Sequence, residues 1–136
     1  MNLFVFTTFP VLVTWSVVLL VAHIFMQAQF STHELGSKWN AGPRDDRRKP
    51  KGALAGRAER ASHNFRESYP AFVGLALALA VAAPGSAWGH AGALLWFLAR
   101  IVYIPLYLAG IPYIRSLVWV FSMAGLAIMF LSVLSG

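Results

Sequence analysis

Apolar positions dominate this chain in four long runs, and a single polar interval separates the first run from the rest. Residues 3–30 carry no charged side chain and are rich in Val, Leu and Phe, whereas residues 31–57 are polar, with Gly and Pro at turn positions. About 20 apolar residues suffice to cross a bilayer as a helix. The pattern therefore predicts an all-α, integral membrane four-helix bundle in a single domain. Its spans fall at about 3–30, 58–83, 91–110 and 114–135, and its loop at about 31–57. The first run lacks the basic flank, short apolar core and small-residue cleavage site of a secretory signal, so it reads as a retained span. His23, Gln27 and Gln29 near its end read as interfacial.

Local signals refine the boundaries. The second helix is expected to begin near Arg57 and to run through Pro70 to Ala83, where Pro84-Gly85 ends it. Pro70 lacks a backbone donor and should kink or loosen one turn. The half that follows, AFVGLALALAVAA, is built of small apolar residues, which permit close helix packing in lipid. Residues 84–92 read as a loop without Lys or Arg, with Trp88 and His90 at its interface. Gly110-Ile111-Pro112 makes a very short turn before an uncharged last span.

Composition agrees with the pattern: 58% of the 136 residues are hydrophobic, 12% are charged, and the mean hydropathy is +0.63. A net charge of +6 raises the question of nucleic acid. The placement of the charge answers it, because nine of the eleven cations lie within residues 38–66, with no aromatic interleaving or known binding module. Basic loops stay on the cytoplasmic side, so both termini are expected on the opposite side of a multi-pass membrane protein, in the inner membrane if the cell is bacterial. Arg47, Arg48, Lys49 and Lys51 are also suited to contact anionic head groups. With no cysteine, the chain has no disulfide and no thiol nucleophile of its own, and its four histidines lack metal-ligand spacing.

The chemistry concentrates in two helical stripes. Arg57, Arg60, Asn64 and Glu67 recur at spacings of three, four and three residues; Arg100, Tyr103 and Tyr107 at three and four. Each set shares one helix face. Both are expected to face the bundle interior, since a charge turned to lipid costs at least about 2.5–3.5 kcal/mol. Glu67 and Arg100 are the natural mutual partners. One reading is an internal polar lock in which they pair. The other follows from the excess of arginine over acid near one interface: guanidinium groups beside two phenols suit an anionic ligand bearing carboxylates or a thiolate.

The run R57-A-E-R-A-S-H-N-F-R-E-S-Y-P-A-F72 resembles the second-helix signature of the MAPEG family, the membrane-associated proteins of eicosanoid and glutathione metabolism. A99-R-I-V-Y-I-P-L-Y107 is similar to its third-helix signature, and I-P-Y-I-R-S116 to the turn that carries the family's catalytic arginine. The likeness is greater to the bacterial-type branch than to the leukotriene or prostaglandin synthases. It implies a homotrimer that binds glutathione as co-substrate between protomers near the cytoplasmic face. By position, Arg60, Asn64, Glu67, Arg100, Tyr103 and Tyr107 would bind glutathione and Arg115, beside Ser116, would stabilise its thiolate. A lipophilic second substrate would then enter from the bilayer. The implied activity is that of a glutathione transferase or peroxidase. Two departures stand out: Ser68 occupies the place of a family tyrosine, with Tyr69 one residue late, and the first span ends on Gln27 and Gln29 rather than an arginine.

Two other functions remain open on the residues alone. The polar stripe could serve helix packing and trimer assembly without catalysis. The same arginines could bind another anionic lipid or cofactor. A proton-coupled exporter of similar size is disfavoured: it needs a membrane-embedded carboxylate, the first span has none, and Glu67, the only acid within a span, has arginines around it.

Overall fold

The computed structural model describes residues 7–136, so the start of the first expected span, residues 3–6, lies outside the described part. The elements are α1 (Phe9–Leu35), a short α2 (Ser37–Ala41), α3 (Ala53–Ala82), α4 (Ala87–Leu108) and α5 (Pro112–Ser135). All but α2 are long and apolar enough to cross a membrane, and no strand occurs among the described residues. Outward faces carry Trp15, Phe25, Leu98, Leu117, Phe130 and Leu131, an apolar surface that suits lipid rather than water. The chain is an integral, multi-pass membrane protein.

Where helix limits depart from the sequence pattern, a local contact explains the difference. α1 continues past residue 30 to Gly36, whose φ of 90° ends the helix and whose N–H donates to the Thr32 carbonyl at 2.8 Å. α3 begins at Ala53, not Arg57, because the Glu34 carboxylate accepts hydrogen bonds from the N–H groups of Lys51 and Gly52. An acid there satisfies amides that a helix start leaves without partners, and it complements the positive end of the helix dipole. α4 begins inside the expected loop, since the Ser86 hydroxyl accepts from the Gly89 N–H at 3.0 Å. Both α3 and α4 run as continuous helix through their internal prolines, Pro70 and Pro105.

Gly89 and Gly92, read from sequence as loop residues, are helical and buried. A Cβ on Gly92 would lie 2.7 Å from the Gly125 carbonyl oxygen. One on Gly125 would lie 2.6 Å from the Gly92 oxygen and 2.9 Å from the Trp96 nitrogen. α4 and α5 thus meet backbone to backbone, the kind of contact that holds helices together where lipid removes the hydrophobic drive. Gly125→Val should therefore force the two helices apart. Overpacking costs about 1–3 kcal/mol, and the upper end is expected because the obstructing atoms are backbone. A thermal melt of the detergent-purified variant reads the loss; an unchanged melting temperature would show that this seam carries little of the stability.

The core between α1, α3, α4 and α5 centres on Phe72, which stacks on Trp96 with centroids 3.8 Å apart and planes 9° from parallel. His23 belongs to this interior, not to the interface: it is 1% exposed and lies 4.7 Å from the Phe65 ring. In the loop, Arg48 pairs with Asp46 at 2.6 Å, the only salt bridge among the described residues. The hydrogen bonds from Arg48 hold the Asp46 carboxyl below its ordinary pKa.

At the loop end of the bundle, the Arg57 guanidinium donates to the Leu108 carbonyl at 3.1 Å. This contact ties the start of α3 to the last turn of α4. Gly110 follows with a φ of 74°, and a Cβ there would lie 2.7 Å from the Arg57 guanidinium. Glycine serves both needs, a left-handed backbone and close approach. The tight turn sets where α5, and with it Arg115, starts.

Candidate functional site

Arg100 is the most deeply set charge in the protein, 1% exposed and eight residues (about 12 Å) before the end of α4. Its Nη1 donates to Asn64 Oδ1 and its Nη2 to Ser68 Oγ, each at 2.7 Å. Its Nε has no hydrogen-bond partner among the described residues. The expected pairing with Glu67 does not form. Asn64 and Ser68 are four residues apart on the face of α3 that meets α4, while Glu67, one residue before Ser68, is turned outward and exposed. A turn of about 100° per residue separates the two directions. Ser68 was legible in the sequence only as a departure from a family pattern; its i, i+4 relation to Asn64 was the signal that it shares Arg100.

Tyr69 does not stand in for the tyrosine missing at 68. Its hydroxyl lies 3.0 Å from Ser16 Oγ on α1, and its ring stacks on Phe65 at 4.9 Å. It faces the core between α1 and α3, where its ring also stacks on Trp96 at 6.3 Å.

From Arg100 a ladder of cations and rings runs toward the loop end. The guanidinium lies 5.9 Å from the Trp96 ring centroid and 5.3 Å from that of Tyr103. Tyr103 meets Tyr107 edge to face at 5.4 Å, and Arg115, across the turn, stands 4.5 Å over the Tyr107 ring. Helix spacing delivers Arg100, Tyr103 and Tyr107 on one face, and the Gly110 turn brings Arg115 back over the last of them. Guanidinium groups bind ring faces with about 0.5–2 kcal/mol each, more as water is excluded. The rings hold both cations in place without neutralising them.

Five of the residues expected at the site, Asn64, Arg100, Tyr103, Tyr107 and Arg115, are thereby connected within the chain. Arg60 and Glu67 are not. Both are exposed on α3, and Arg60 lies back along its own helix toward Gly56. The whole α3 stripe does not face the bundle interior, contrary to the expectation. The inward face is instead Ala55, Ala58, Ala61, Ser62, Phe65 and Ser68, whose mostly small side chains let α3 pack closely. Arg60 and Glu67 project from the flank of that face. Ser116 lies beside Arg115, but its hydroxyl bonds the Pro112 carbonyl at 3.4 Å.

The arrangement offers two guanidinium charges and two phenols, and no carboxylate is bonded to any of them among the described residues. Such a set can accept an anion and stabilise negative charge as it develops.

No curated protein and no solved structure matches this chain. The family model of the MAPEG family matches residues 12–135, a stretch that takes in all four membrane helices nearly whole. The match spans nearly the entire chain and includes every residue of the cation and tyrosine ladder, so the chain belongs to the MAPEG family.

Proposed function

We propose that the protein is a membrane-embedded glutathione-dependent transferase or peroxidase acting on lipophilic electrophiles, with Arg115 stabilising the thiolate. The carrying observation is the Arg100–Tyr103–Tyr107–Arg115 ladder, whose two cations have no carboxylate bonded to them among the described residues. Glutathione brings carboxylates to such a site and the thiol that this cysteine-free chain lacks. A nearby arginine favours the thiolate, which is the nucleophile. Asn64, with Arg100, Tyr103 and Tyr107, would bind its polar groups.

The exposure of Arg60 and Glu67 supports assembly as a homotrimer with the site between protomers. A charge turned toward the hydrocarbon is costly, and a neighbouring protomer would cover Arg60 and Glu67 while bringing the rest of the ligand's contacts. In this reading the basic loop is cytoplasmic, both termini lie opposite, and the second substrate arrives from the lipid.

The test is a glutathione titration of the detergent-purified protein, following melting temperature and near-ultraviolet thiolate absorbance. A ligand at a hundred times its Kd adds about 2.7 kcal/mol. A rise in melting temperature with a thiolate signal is expected. If millimolar glutathione produces neither, the proposal fails. A second reading has its own observation: the Arg100 bonds to Asn64 and Ser68 suit a packing lock without catalysis, and under it glutathione changes nothing.

A further inference from the structure

Away from the ladder, on the opposite flank of α3, the loop closes over a cavity of about 380 Å³ between α1 and α3. Its lining includes four cations, Arg44, Arg48, Lys49 and Arg66, and one acid, Glu59. None of the four belongs to the glutathione reading.

Their states of pairing differ. Arg48 is bridged to Asp46. Arg44 bonds only neutral groups, the Asn40 carbonyl at 3.0 Å and the Asn40 side chain at 2.5 Å, and it lies 4.5 Å over the Trp39 ring. Arg66 reaches Gln27 Oε1 and the Ser62 carbonyl, each at a long 3.4 Å. Lys49 is exposed, with no salt-bridge partner among the described residues. Positive charge therefore exceeds negative charge around an open space.

The other side of the cavity is apolar. Ile24 and Ala28 line it from α1, and Ile24 is 49% exposed on the membrane-facing surface of that helix. Here the apolar span passes into the polar loop, the level at which lipid head groups lie. A free inorganic anion would leave the apolar wall and most of the volume unused. A phosphate group with an acyl chain attached would use both.

We propose that this cavity is a binding site for the phosphodiester head group of an anionic phospholipid. Arg44, Lys49 and Arg66 would hold the phosphate, and the acyl chain would follow α1 past Ala28 and Ile24. Arg66 joins the site to α3, so an occupied site would clamp the loop against the helix bearing Asn64 and Ser68.

Native mass spectrometry of the full-length protein, released from detergent with phosphatidylglycerol or phosphatidylcholine, reads the occupancy directly. A parallel thermal melt uses the same lipids and inorganic phosphate. Phosphatidylglycerol should be retained preferentially and should raise the melting temperature, while phosphatidylcholine and phosphate should do neither. Each cation near an anionic surface is worth about fivefold in binding, so Lys49→Gln with Arg66→Gln should weaken retention about 25-fold. The singles, at about fivefold each, give the same reading if the double variant does not fold. Far-ultraviolet circular dichroism confirms folding in each case.

Equal retention of both lipids, or unchanged phosphatidylglycerol retention in the folded variants, would overturn the assignment. Stabilisation by inorganic phosphate equal to that by lipid would overturn it in favour of a free-anion site. None of these measurements involves glutathione, so the outcome is independent of the catalytic reading.

Discussion

Arg115→Ala is expected to lower the glutathione-dependent rate about 10²–10³-fold, the cost of removing one preorganised group from a developing negative charge. Arg115 is half-buried and held 4.5 Å over Tyr107, so its guanidinium arrives already oriented. Loss of the side chain leaves Asn64, Arg100 and Tyr103 with the contacts they have now. Glutathione should therefore still bind, and the loss should fall on kcat far more than on KM. The pH profile supplies a second readout. With the arginine present a bound thiol should ionise below its free value of about 8.5, and without it the rate should need more alkaline solution to recover. Arg115→Lys keeps the charge but gives up the planar fork and its stacking on the ring, so an intermediate rate is expected. Full turnover in Arg115→Ala, with an unmoved pH profile, would transfer the thiolate to another group or remove the chemistry altogether.

The existence of four helices was legible because each apolar run is long and the polar interval has a sharply different composition. Their ends were less legible, since the deciding contacts are remote or look like something else. Glu34 reaches the start of α3 across 17 residues, a relation that no local pattern encodes. Gly92 carries the same letter as a turn glycine yet serves as a contact point for α5, and Gly89 packs against Leu79 of α3. At the site, helical spacing correctly put Arg100, Tyr103 and Tyr107 on one face. It erred in pairing Arg100 with Glu67. Charge complementarity is a strong guide in an apolar stretch, but Asn64 and Ser68 face α4 where Glu67 does not, and direction on the helix prevails. His23 was misread for a related reason: a polar residue near the end of a span looks interfacial until the facing ring, Phe65, is known. Arg60 and Glu67 illustrate a further limit, because helical spacing groups residues on one broad face without telling which of its edges turns outward.

Asn64→Leu combined with Ser68→Ala is expected to cost about 3–5 kcal/mol of stability, because it strands a buried guanidinium. Arg100 makes its two hydrogen bonds to these side chains, its Nε already lacks a partner, and no carboxylate is bonded to it. A melting temperature lower by on the order of 10 °C follows. The informative control is the triple variant that adds Arg100→Met. Removing a buried polar set completely and filling its volume with apolar side chains is often neutral or stabilising, whereas removing half of it is not. The three proteins should therefore melt in a fixed order, with wild type and triple variant close together and the double variant well below both. That order would mean that the native bonds compensate the burial of Arg100 without adding much net stability, leaving its charge to be explained by what it binds. A double variant melting with the wild type would instead mean that the guanidinium finds other partners, Glu67 or water, at little cost. A triple variant as unstable as the double would make the polar contacts themselves the stabilising feature. The packing-lock reading would then gain at the expense of the ligand reading.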